Sequence, residues 1–135
     1  MATKKKMLQA AAGNAGGGGP LNVEDVFSTY LYTGTGSAQT ITNGIDLDGE
    51  GGLVWTKTRS VGDNHRLADT ERGAGNGLFT DLTSAESSTA TCGVDAFYSD
   101  GYLSDYSDSY FNGEEIASWT FRKAPKFFDV VTYTG

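Results

Sequence analysis

Short apolar-polar alternations broken by turn residues run through most of the chain. Leu53 to Thr58 is the clearest: Leu53, Trp55 and Lys57 alternate with Val54, Thr56 and Thr58, the two faces of a strand. The same reading predicts strands over Val26 to Thr33, Ala38 to Thr42, Arg66 to Thr70, Leu78 to Leu82 and Ser88 to Cys92. Further strands are expected over Val94 to Tyr98, Tyr102 to Ser104, Ile116 to Lys123 and Phe127 to Thr134. Asn43-Gly44, Gly62-Asp63-Asn64, Asp100-Gly101 and Asn112-Gly113 punctuate them as turns. A helical period occurs only at the start, where Met1 to Ala12 places Met7, Leu8 and Ala11 on one face with Thr3 as N-cap. Twelve residues are marginal as an isolated helix, so this arm is expected to order against a partner. Asn14 to Pro20, with four consecutive glycines, reads as a hinge. The chain divides accordingly into an arm and hinge (1–20), an all-β sandwich of jelly-roll type (21–129), and a segment 130–135 that opens a further repeat. The last expectation rests on Val131-Thr132-Tyr133-Thr134-Gly135, which echoes Tyr30-Leu31-Tyr32-Thr33-Gly34.

Composition agrees with this pattern. Nineteen glycines and abundant Ser and Thr suit strands and turns. At 135 residues a single domain can bury roughly two-thirds of its unfolded surface without covalent staples. The lone Cys92 excludes an intrachain disulfide framework and a cysteine zinc site, and the lone His65 excludes multi-histidine metal centres. No apolar run approaches the roughly 18 residues of a membrane span, and the Lys4-Lys5-Lys6 start is too polar for a signal-peptide core. The first 20 residues hold three lysines and no acid, so residues 21–135 hold seven basic against seventeen acidic side chains, a net of −10. So acidic a body is expected to repel nucleic acid.

Candidate chemistry is sparse. Asp46-Leu47-Asp48-Gly49-Glu50-Gly51 opens like a calcium loop, but Lys57 stands where the bidentate carboxylate belongs, so an acidic surface turn is expected. Gly73 to Gly77 lacks the Lys-Ser/Thr and the spacing of a phosphate loop. His65, Asp69 and Arg72 are too close in sequence to ignore as base, orienter and clamp, yet no motif supplies a nucleophile. Asp69 and Arg72 are better cast as an ion pair holding the bend before Gly73. Glu114 and Glu115 are adjacent on a strand and point to opposite faces, so they cannot act as a glycosidase pair. No catalytic residue, cofactor or metal is assigned, and the chain is not expected to be an enzyme. Tyr98, Tyr102, Tyr106 and Tyr110 recur every four residues beside Asp105 and Asp108. Flat rings and acceptors of this kind recognise sugars, which makes these six the candidate glycan contacts. Trp55 and Trp119 are expected to meet between two sheets.

Four ordered stretches resemble a known repeat domain: Gly52-Leu53-Val54-Trp55-Thr56-Lys57-Thr58-Arg59; His65 to Gly73; Phe97 to Tyr102; and Ala117 to Lys123 running into Lys126 to Val131. The chain is similar here to the concanavalin A-like, lectin-like jelly rolls of structural proteins from tailed bacteriophages of marine and cyanophage type. The resemblance implies a virion protein, a tail fibre or similar appendage used in host attachment. It implies a homotrimer held to other virion components through the arm, with Lys4, Lys5, Lys6, Met7 and Leu8 as the anchoring contacts. A capsid decoration or head-fibre protein and a carbohydrate-binding module for host surface glycan are the alternatives.

Overall fold

The computed structural model describes residues 20–88 and 93–135. The arm, its anchoring residues Lys4 to Leu8, most of the hinge and most of the Ser88 to Cys92 run lie outside the described residues. The rest is all-β, as the pattern predicts. Strands β1 (Phe27–Thr33), β8 (Glu115–Arg122), β3 (Gly52–Thr58), β4 (Arg66–Asp69) and β5 (Leu78–Phe79) form one sheet in that order. Strands β2 (Gln39–Thr42), β7 (Gly101–Ser104) and β6 (Val94–Tyr98) form the second. Every pairing is antiparallel. Helical structure among the described residues is limited to single turns at Val23–Val26, Leu47–Glu50 and Ser109–Phe111.

The core forms where the two sheets face each other. Val54 and Ala68 from the larger sheet pack with Ile41, Val94 and Tyr102 from the smaller, and Ile45 and Leu47 close the group from the connection between β2 and β3. A satellite of Tyr106, Phe111 and Ile116 joins it through Tyr32. Much of the inward surface is hydroxylated: Thr56, Thr58, Ser104, Ser118 and Thr120 are all buried. These groups need partners, since an unpaired buried hydroxyl costs about 1–3 kcal/mol. Tyr32 reaches Ser104 Oγ at 3.0 Å, Tyr106 reaches Thr56 Oγ1 at 3.1 Å, and Asn43 donates to Thr120 Oγ1 at 2.9 Å. Each bond ties one part of the sandwich to another.

Three expectations are corrected. Trp55 and Trp119 do not meet between the sheets. They are direct cross-strand partners on β3 and β8. Since Val54 and Thr56 face the core, period-two alternation turns Trp55 and its partner outward. The Leu78 to Leu82 strand stops at Phe79, because the chain turns there, with the Leu82 N–H donating back to the Phe79 carbonyl at 3.4 Å. The Phe127 to Thr134 run is not a strand: Ala124 and Phe128 form an isolated bridge, and residues 129–135 carry no regular structure.

Candidate functional site

The glycan-contact set predicted between Tyr98 and Tyr110 is dispersed by the fold. Tyr102 and Tyr106 are fully buried core residues, so neither offers a ring to a sugar. Burial pushes the Tyr102 hydroxyl up to about 12. Asp105 is buried as well. Tyr98 is half-buried on β6, and Tyr110 alone is widely exposed, with one ring edge set against Phe111 at 5.1 Å. Asp108 caps the turn at Ser109–Phe111 by accepting from the Tyr110 backbone N–H at 3.0 Å. The four-residue period crosses two strands, a loop and a 3-10 turn, and each element orients its own tyrosine differently.

Arg66, which sequence reasoning passed over, organises the buried polar region. Its guanidinium lies 4.5 Å above the Tyr106 ring and 5.0 Å from Phe111, and Nη2 donates to Asp63 Oδ2 at 3.0 Å. One signal was present: a single cation inside the β4 run, three residues after an acid. Asp105 sits in the same region with Oδ2 buried and unpartnered. Burial, and then the negative charge of Asp95, push its carboxyl up to about 6, while Arg66 opposes the rise.

A carboxyl raised in the folded state favours folding while it is protonated. The stability it confers is therefore complete below about pH 4 and is lost as pH climbs through about 6. Asp105→Asn is expected to gain about 1–3 kcal/mol over the parent at pH 8 and nothing at pH 4. Thermal denaturation of both proteins across that range checks it, and an equal difference at both pH values would refute it.

Facing away from the core, the larger sheet carries rings in a row. Phe27 and Phe121 lie 4.9 Å apart, Phe121 and Phe128 5.2 Å, Trp55 and Trp119 5.4 Å, and Trp55 and His65 5.8 Å. Leu53 stands opposite Phe121 on β8, and Leu67 opposite Trp55 on β3. At the Phe128 end an open cleft of about 570 Å³ is lined by Glu50, Lys123, Lys126, Phe127, Phe128 and Asp129. Lys123 Nζ reaches Glu71 Oε1 at 2.6 Å and Asp129 Oδ1 at 3.5 Å; the bond to Glu71 is the main reason its ammonium is held above the usual lysine range.

The remaining candidates are structural. Asp46 Oδ1 accepts from the Gly49 N–H at 2.7 Å and caps the turn at Leu47–Glu50. Asp69, fully buried, pairs with Arg72 and accepts from the backbone N–H groups of Glu71 and Arg72 at 3.1 and 2.9 Å. Arg72 Nε also donates to Glu86 at 3.1 Å. These bonds hold the corner before Gly73. His65 uses its backbone N–H on Asp81 and its ring on Trp55, so it is not joined to Asp69 and Arg72 as a base. Glu114 accepts from Ser60, and Glu115 pairs with Arg59 at 3.5 Å. What remains at the surface is the row of half-buried rings and the open cleft beside it.

Comparison with protein families gives one match, over residues 22–135, to a model described as "Domain of unknown function (DUF7483)". No curated protein and no solved structure matches the chain.

Proposed function

The chain belongs to the DUF7483 family, and we propose that it is a structural protein of a bacteriophage particle, a tail fibre or similar external appendage, that works by binding. In this reading the arm at residues 1–20 attaches to another virion component and the lectin-like sandwich, of jelly-roll type, is displayed outward. The observation that carries it is the row of rings along the outward face of the larger sheet. Phe27, Phe121, Trp119 and Trp55 are half-buried, with Phe27 tilted 49° against Phe121 and Trp55 tilted 51° against Trp119. Their outer edges give this sheet an apolar strip on a rigid support, the kind of surface an assembly contact uses. The net charge of −7 keeps copies soluble where many are crowded on one particle.

An antibody raised against residues 21–135, applied to intact particles and viewed by electron microscopy, tests the proposal. Labelling of tail appendages is expected. Label on the shell would move the protein to capsid decoration, and particles that never carry it would end the virion reading.

A carbohydrate-binding module is favoured by one separate observation, the open cleft in which exposed Phe127 stands beside the carboxylates of Glu50 and Asp129. A ring face with adjacent acceptors suits a neutral sugar. On a glycan array, binding lost in Phe127→Ala and kept in Tyr110→Ala would support this reading.

A further inference from the structure

Strand β1 is the end strand of the larger sheet: one edge pairs with β8, and the other has no ladder partner among the described residues. It is seven residues long and contains no proline and no charge, the devices that usually blunt such an edge. Thr29, Tyr30 and Thr33 are exposed, and Leu31 is 58% exposed. A free row of N–H and C=O groups beside an apolar side chain is a template for another strand.

The same molecule carries a segment suited to it. Residues 128–135 repeat β1 and its following glycine in register: Phe128 corresponds to Phe27, Tyr133 to Tyr32, Thr134 to Thr33 and Gly135 to Gly34. At β1 such residues form a strand because β8 supplies a ladder. Residues 129–135 have equivalent strand-forming side chains but no ladder, and Val131 and Tyr133 stand 72% and 89% exposed. Val131 and Tyr133 are two apart, so in an extended chain they share a face. Only Asp129 is charged in this segment, so local repulsion against β1 is absent.

We propose that residues 129–134 of one copy add as a sixth strand along the free edge of β1 in a second copy. The contact is heterologous, edge to segment, and so propagates from copy to copy. Backbone ladder bonds supply the attraction, and Val131 and Tyr133 cover the exposed Leu31 region. Two bodies each of charge −7 repel, so added salt should strengthen the association. The proposal concerns only contact between copies and stands apart from the particle reading.

Sedimentation and light scattering of the full chain test it, with two variants. Leu31→Lys blunts the edge and leaves the segment intact; Val131→Asp with Tyr133→Asp does the reverse. All three positions are exposed, and circular dichroism confirms that the variants fold. Thr29→Lys replaces Leu31→Lys if that variant does not. The parent is expected to form oligomers that grow with concentration, and each variant alone to associate at least about tenfold more weakly. Mixing the two variants should restore one good edge and one good segment, giving a 1:1 dimer. A parent that stays monomeric to roughly millimolar concentration overturns the proposal. So does oligomer formation by either variant at parental strength, which would indicate edge-to-edge or face-to-face contact. Failure of the mixture to dimerise overturns it as well.

Discussion

Arg66→Ala is expected to cost about 3–5 kcal/mol of folding stability, among the largest effects of any single side chain in this sandwich. Arg66 is 7% exposed and lies between two rings, where it has given up most of its hydration. Its charge is balanced by Asp63 at 3.0 Å. Truncation leaves that carboxylate, whose side chain is only 18% exposed, without its cation. It also empties the space over Tyr106 and Phe111 and removes the positive charge that favours the ionised form of Asp105. The last effect gives the loss a pH signature. Near pH 5 Asp105 is largely protonated and needs no cation, whereas at pH 8 the folded state holds its carboxylate beside Asp95 without the guanidinium that offset it. The deficit of Arg66→Ala should thus be larger at pH 8 than at pH 5, and Asp105→Asn in the same chain should remove the difference. Urea denaturation at the two pH values measures it. A loss below about 1 kcal/mol would reduce Arg66 to the level of a surface pair.

Arg66 also shows what kind of information the sequence held. Turn pairs such as Asn43-Gly44 and Asp100-Gly101 stand between strands where local backbone chemistry puts them, so the all-β class and most strands were legible. The alternation in β3 was legible too, but not which face was inward. Residue size favours burying Leu53 and Trp55, yet the fold turns Val54, Thr56 and Thr58 to the core. The deciding partners are far along the chain: Tyr106 bonds Thr56, and Ser118 and Thr120 line the neighbouring strand. A hydroxylated core becomes favourable only when buried tyrosines bring it both ring volume and bonding partners. The tyrosine period misled for the same reason, since Tyr102 and Tyr106 are drawn inward by contacts that spacing does not encode. By contrast, the Asp69–Arg72 corner was legible because the two partners lie three residues apart.

The other large effect belongs to a backbone approach. Gly101→Ala is expected to cost about 3 kcal/mol or more, lowering the melting temperature by roughly 10 °C. Gly101 begins β7, the middle strand of the smaller sheet, and lies opposite Thr42 on β2 and Tyr98 on β6. An added Cβ would run into the Ile41 carbonyl oxygen, with the Ile41 carbonyl carbon at 3.0 Å and Thr42 Cα at 3.2 Å just behind it. All three are backbone atoms, so no side chain can swing aside, and β2 itself has to move. That movement withdraws Ile41, 2% exposed, from the core. Gly44→Ala is the control: its φ of +80° is also costly for a side chain, but nothing lies within 4 Å of the added carbon. It should cost only about 1–2 kcal/mol, the left-handed penalty alone. The gap between the two variants isolates the steric contact from the torsional strain. If Gly101→Ala melted no lower than Gly44→Ala, β2 would not be held as closely against β7 as the ladder between them requires.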